Sequence, residues 1–118
     1  MAGMSYRTGV EGERLACEFL ERRGYGVLQR RYKTKAGEID LVMKDKDAIV
    51  FVEVKKRKKM ADAAEALSRT QFNRIADAAA IFTGSSDVEC SEIRFDLVCM
   101  SSDGNINHIK NISMDFCD

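Results

Sequence analysis

The chain has 118 residues, is 45% hydrophobic and 32% charged, and balances 19 Lys/Arg against 19 Asp/Glu. That length suits a single domain spanning residues 1–118 around one core, and the zero net charge argues against a uniformly basic nucleic-acid binder. No apolar run approaches the roughly 20 residues that cross a bilayer, and the opening MAGMSYRTGVEGER lacks the apolar stretch of a secretory signal, so the expectation is a cytoplasmic protein with no membrane partner.

A first helix is expected over Gly9 to Arg23, where Leu15, Ala16, Phe19 and Leu20 recur at helical spacing and Gly24 follows two arginines as a terminator. A strand is expected over Tyr25 to Arg31, a turn over Thr34 to Gly37, and a second strand over the alternating Glu38 to Met43. Lys44 to Asp47 reads as a hairpin loop, and Ala48 to Lys56 as a third strand, apolar on both faces until its end. Residues 58–70 read as a loop, with or without a helical turn. Ser68 and Gln71 then have capping-box spacing and open a second helix, with Phe72, Ile75, Ala76, Ala79 and Phe82 as its apolar stripe and Gly84 as its end. Glu92 to Met100 is a fourth strand; Asn105 to Ile112 is a fifth, after an Asp103-Gly104 turn. The expected architecture is α/β, a mixed sheet flanked by helices in the order α-β-β-β-α-β-β. The chain contains no proline, internal repeat or linker.

The charge is unevenly spread. Residues 22–59 hold 13 Lys/Arg and 5 Asp/Glu, a net of +8, which leaves −8 for the rest. One face can therefore meet a polyanion while the whole stays neutral. The four cysteines, Cys17, Cys90, Cys99 and Cys117, show no C-x-x-C pair, and the one histidine, His108, stands apart from them. They read as free, mostly buried thiols rather than a zinc site.

Side chains alternate along a strand. Ile39, Leu41 and Met43 then share one face of the second strand, and Glu38, Asp40 and Val42 the other. In the third, Val50, Val52 and Val54 oppose Ile49, Phe51, Glu53 and Lys55. Hairpin pairing of the two strands would bring Asp40 beside Glu53. Carboxylates on a buried face are costly unless paired or bound to a cation. Two of them with water and phosphate oxygens form the hard ligand set that Mg²⁺ or Mn²⁺ prefers. Such an ion polarises a phosphoryl oxygen, and a neighbouring lysine orients the attacking water or meets the developing negative charge. Glu13, at the edge of the first helix's apolar stripe, can join them. The blander readings are salt bridges on a solvated face for Asp40 and Glu53, and a solvated strand end for Lys55 to Lys59. Glu38 reads as the solvated partner of a cation, Asp96 as the partner of Arg94, and His108 as a structural or surface histidine.

GEIDLV and FVEVKKR resemble the PD-(D/E)xK signature of restriction-endonuclease-like nucleases. More particularly, GVEGERLACEFLERRGYGVLQRRY, GEIDLVMKD, IVFVEVKKR, RIADAAAIF, RFDLV and INHIKNI run in the same order as in the YraN-like family of bacterial proteins. That family is similar in turn to archaeal Holliday-junction resolvases. The resemblance implies a restriction-endonuclease-like core and a metal-dependent DNA endonuclease, structure-selective in the manner of Holliday-junction resolvases, with the choice among junction, flap, nick or RNA left open by the sequence. It implies Glu13, Asp40, Glu53 and Lys55 as catalytic residues, the three acids as ligands of Mg²⁺ or Mn²⁺, and, by analogy with junction resolvases, a homodimer. Lys56, Arg57, Lys58, Lys59, Arg30 and Arg31 are the expected DNA-backbone contacts, non-specific and salt-dependent. The chain departs from the family pattern at Gln71, where a lysine is usual; this residue is either an accessory of the site or only the cap partner of Ser68, and the cap is favoured. Two other readings stay open: a catalytically silent nucleic-acid-binding module on the same fold, and a structural or protein-partner role.

Overall fold

A computed structural model describes residues 2–116. The elements are α1 (Ala2–Arg22), β1 (Gly26–Lys33), β2 (Glu38–Asp45), β3 (Ala48–Arg57), α2 (Met60–Ala64), α3 (Arg69–Ser85), β4 (Glu92–Ser101), β5 (Ile106–Ile109) and a closing 3₁₀ helix (Ile112–Phe116). The expected order holds, with the short α2 resolving the ambiguous segment before α3. The strands form one five-stranded sheet in chain order, β1-β2-β3-β4-β5. Only β3 and β4 run parallel, because only they are joined by a helical crossover; the other neighbours are antiparallel.

The helices cover opposite faces. Ala16, Cys17 and Leu20 of α1 pack with Leu41, Met43, Val50, Val52, Val98 and Met100. Phe72, Ile75, Ala78, Ala79 and Phe82 of α3 pack with Ile39, Val42, Ile49, Phe51, Leu97 and Cys99. Burial on both faces is why β3 reads as an unbroken apolar run instead of an alternating one.

Several boundaries move, each for a local reason. The first helix starts at Ala2, before the expected Gly9, because its glycines are carried within the helix instead of breaking it. β2 continues to Asp45, so the hairpin loop shrinks to Lys46 and Asp47, with Lys46 in the left-handed region at φ 55°. β1 runs on to Lys33, and α3 passes Gly84 to end at Ser85. The fifth strand stops at Ile109; Asn111, at φ 56°, turns the chain into the 3₁₀ helix, which sequence periodicity did not reveal. Ile39 is a further correction. It packs with Val42 on the α3 side, while Leu41 and Met43 pack on the α1 side. Strict alternation fails at Asp40, where the hydrogen-bonded register between β2 and β3 also stops, at Leu41↔Val52.

Of the described cysteines, Cys17 and Cys99 are buried and Cys90 is exposed, all as free thiols; Cys117 lies outside the described residues. Among the described residues, no helix is long and apolar enough to cross a membrane.

Candidate active site

Beyond Leu41↔Val52 the two central strands splay apart. The backbone N–H of Val54 would continue the ladder to β2, but it donates instead to Asp40 Oδ2 at 2.8 Å. The carboxylate of Asp40 takes the place of a ladder carbonyl, which fixes that side chain and leaves the sheet open. The opening is a cleft of about 990 Å³. Gly12 and Glu13 of α1 form one wall, Glu38 and Asp40 another, Glu53 to Arg57 a third, and Gln71 and Arg74 of α3 the fourth. Gly37 sits at its edge, where a Cβ would stand 3.0 Å from Arg74 Cβ and 3.1 Å from the Arg74 carbonyl oxygen. The Thr34 to Gly37 turn thus packs directly onto α3, and its geometry is set by Thr34 Oγ1, which accepts from the backbone N–H groups of Ala36 and Gly37.

Glu53 is the deepest group, with a side chain 9% exposed. Its Oε2 faces Lys55 Nζ at 3.9 Å and accepts from Gln71 Nε2 at 3.4 Å; its Oε1 is buried with no hydrogen-bond partner. Burial, then the neighbouring Asp40, pushes the Glu53 carboxyl up to about 9, against the opposing pull of Lys55. Desolvating a carboxylate costs several kcal/mol, and one ammonium at that separation offsets only part of it. Without a stronger counter-charge, the neutral acid therefore wins at pH 7. An orphaned buried oxygen beside a second fixed carboxylate is the environment a divalent cation would stabilise, so the donor set fits Mg²⁺ or Mn²⁺.

Glu13 also lines the cleft, but it is engaged. Arg31 Nε donates to Glu13 Oε1 at 2.8 Å, and Arg31 Nη2 reaches Glu13 Oε2 at 3.4 Å. Among the described residues, no three His, Cys, Asp or Glu side chains converge as a ready metal-binding group. Asp40 and Glu53 are brought together with Lys55, while Glu13, on the same cleft, is paired with Arg31.

Of the expected backbone contacts, Lys56 and Arg57 line the cleft; Lys58, Lys59 and Arg30 do not. Lys59 is the N-cap residue of α2, and the carbonyl of Lys58 accepts from Ser102 Oγ. Glu38 pairs with Lys33 at 3.7 Å between two exposed side chains, the solvated pairing expected of it. Sequence reasoning missed Arg74. Its only signal was its place one turn after Gln71 on the same helix face. The Gln71 alternative resolves into both roles. Its backbone N–H donates to Ser68 Oγ at 3.1 Å and makes the cap, while its side chain turns to Glu53 instead of closing a capping box.

A second buried polar cluster lies apart from the cleft. Asp96, fully buried, accepts from Arg94, from the Asn111 N–H and from Tyr25, and shares a 2.8 Å hydrogen bond with His108 Nε2. Arg94 also reaches Asp45 at 3.2 Å. The expected Asp96–Arg94 pair is present, and His108 is structural, its side chain 1% exposed.

The profile of the uncharacterised protein family UPF0102 matches residues 12–100, from the α1 wall of the cleft to the end of β4. The chain belongs to the UPF0102 family. Among UPF0102 relatives, one of Rhodopseudomonas palustris is 41% identical over 106 residues, covering 89% of this chain and 82% of its own. One of Syntrophomonas wolfei is 38% identical over 113 residues, covering 92% and 98%. One of Mesorhizobium japonicum is 41% identical over 97 residues, covering 81% and 78%. The YraN-like resemblance read from the sequence is thereby confirmed at the level of the UPF0102 family.

Proposed function

We propose that this chain is a metal-dependent DNA endonuclease with a restriction-endonuclease-like core, structure-selective in the manner of the junction resolvases that its family resembles. The observation that carries the reading is Glu53. It is a buried carboxylate with an unpartnered oxygen, beside Asp40 and Lys55, at the floor of a cleft whose walls carry cations. Asp40 and Glu53 would hold Mg²⁺ or Mn²⁺, with Glu13 joining once it leaves Arg31. When bound, such an ion polarises the phosphoryl oxygen and lowers the pKa of water.

The chain's own residues supply the rest. Lys56, Arg57 and Arg74 grip non-bridging phosphate oxygens and fix the backbone in the cleft. Lys55, held against Glu53, presents an ammonium to the attacked phosphate, where it orients the incoming water and meets the negative charge that builds as the P–O bond breaks. Gln71 holds Glu53 from the helix side and sets which oxygen faces the cleft.

The test is cleavage of labelled branched and linear DNA with Mg²⁺ or Mn²⁺, by wild type and by the Asp40→Ala/Glu53→Ala double variant. Metal-dependent cleavage by wild type alone is expected, with a loss of at least about 10³-fold in the variant. Equal cleavage by both would sink the reading. The capture of Glu13 by Arg31 favours a second reading, a silent DNA-binding module. It predicts salt-dependent binding, equal in both proteins, and no hydrolysis with any divalent ion.

A further inference from the structure

Glu13 and Arg31 were expected to do different jobs, one on a metal and one on a phosphate, yet they neutralise each other. Arg31 adopts φ 49°, in the left-handed region, inside a strand. For an arginine that conformation costs about 1 kcal/mol, and it sends the side chain across to α1. Glu13 and Asp40 line both the main cleft and an adjoining recess of about 90 Å³ that also contains Arg31 and Lys33. Whatever enters the cleft therefore meets Glu13, with Arg31 in the adjoining recess behind it. The pair is open to solvent on one side, 39% exposed at the arginine and 16% at the glutamate, and a pair so placed contributes on the order of 1 kcal/mol. A guanidinium–phosphate contact is at least as strong.

We propose that Arg31 is an exchangeable partner of Glu13. A DNA backbone phosphate takes Arg31, and Glu13 is released to complete the metal ligand set, so that metal and nucleic acid each promote binding of the other. The proposal rests on the nuclease reading and adds an order to it: a metal site of two acids before DNA arrives, and of three afterwards. It makes Arg31 a positioning residue, acting through Glu13. By linkage, the coupling must be visible from both sides.

The experiment measures Mn²⁺ binding without DNA, from the spin-resonance signal of free Mn²⁺, for wild type, Arg31→Gln, Glu13→Gln, the double variant, and Lys33→Gln as a charge control. Arg31→Gln is expected to tighten Mn²⁺ binding about threefold or more, and Lys33→Gln by less. In the Glu13→Gln background, Arg31→Gln should then have no more effect than Lys33→Gln has in wild type. In the same set, duplex DNA binding in EDTA should tighten in Glu13→Gln, which removes the carboxylate charge facing the arginine, and lose that gain in the double variant. Additive effects, or equal effects of Arg31→Gln and Lys33→Gln, would overturn the exchange. If Mn²⁺ binding nevertheless depends on Asp40 and Glu53, the nuclease reading survives that result. If no variant binds Mn²⁺ and wild type does not cleave, both fall.

Discussion

Glu53 makes the candidate site a source of instability. Its folded-state pKa is raised to about 9, so the native protein binds more protons than the unfolded chain between the ordinary carboxylate value of about 4.3 and that raised value. Stability then falls as pH rises through that window, and continues to fall until the native carboxyl itself ionises. Glu53→Gln removes the dependence while keeping the shape. Without divalent metal, the variant should be more stable than wild type at pH 8 by about 1–3 kcal/mol, with the difference shrinking towards pH 5; thermal melts at the two pH values check this. Added Mn²⁺ should raise the wild-type melting temperature and leave the variant nearly unmoved. A pH-independent difference would mean that Glu53 is ionised and satisfied by its neighbours. The juxtaposition of Asp40, Glu53 and Lys55 could be read from strand alternation and a short hairpin. The pairing of Glu13 with Arg31 could not, because it depends on one left-handed residue inside a strand, and arginine carries no signature for that.

Three walls of the cleft come from the start of β2, the end of β3 and the first turns of α3, and the fourth from the middle of α1; α3 illustrates how one sequence signal can serve two purposes. Ser68 accepts from the Gln71 backbone, so the cap does not need the Gln71 side chain. Ser68→Ala should destabilise the protein by about 1 kcal/mol. Gln71→Ala should leave stability within about 0.5 kcal/mol and instead weaken Mn²⁺ binding or cleavage by freeing Glu53 to turn. Urea denaturation and metal titration on both variants separate the roles, and equal destabilisation by both would show that the glutamine side chain belongs to the cap. The capping spacing was legible because it is local. Arg74 was not, because the part of α3 that faces the cleft depends on how the helix docks on Gly37 and the sheet. The 3₁₀ helix was also hidden: after Asn111 the sequence carries neither a strand period nor a helical one. The wrong face for Ile39 has the same origin as the cleft, since the period breaks where β2 leaves β3.

At the scale of the whole molecule, the candidate cleft at one place is balanced by a buried, hydrogen-bonded polar cluster at another. Burial alone would raise the Asp96 carboxyl, but His108, Arg94 and the Asn111 N–H hold it below the usual range. A lowered folded-state pKa gives stability that is present above the ordinary value of about 3.9 and is lost as pH falls through the native one. Asp96→Ala would leave the Arg94 guanidinium, 13% exposed, with only Asp45 and Tyr25. A loss of about 3–5 kcal/mol at pH 7 is expected, read as a lower urea midpoint, with the deficit narrowing in acid where wild type has lost the same interaction. None of these residues lines the cleft, so a variant that still folds should match wild type in the Mn²⁺ titration, whatever that titration shows.

The one parallel pairing in the sheet has a consequence for how the chain is made. β3 is apolar on both faces, and its second neighbour, β4, begins only at Glu92, after residues 58–91 have crossed over. During synthesis the β1–β2–β3 meander leaves the ribosome with its most hydrophobic strand as an unprotected edge, open to pairing with another nascent chain until β4 emerges to close it. That interval, and not the finished fold, is when this molecule is most exposed to aggregation.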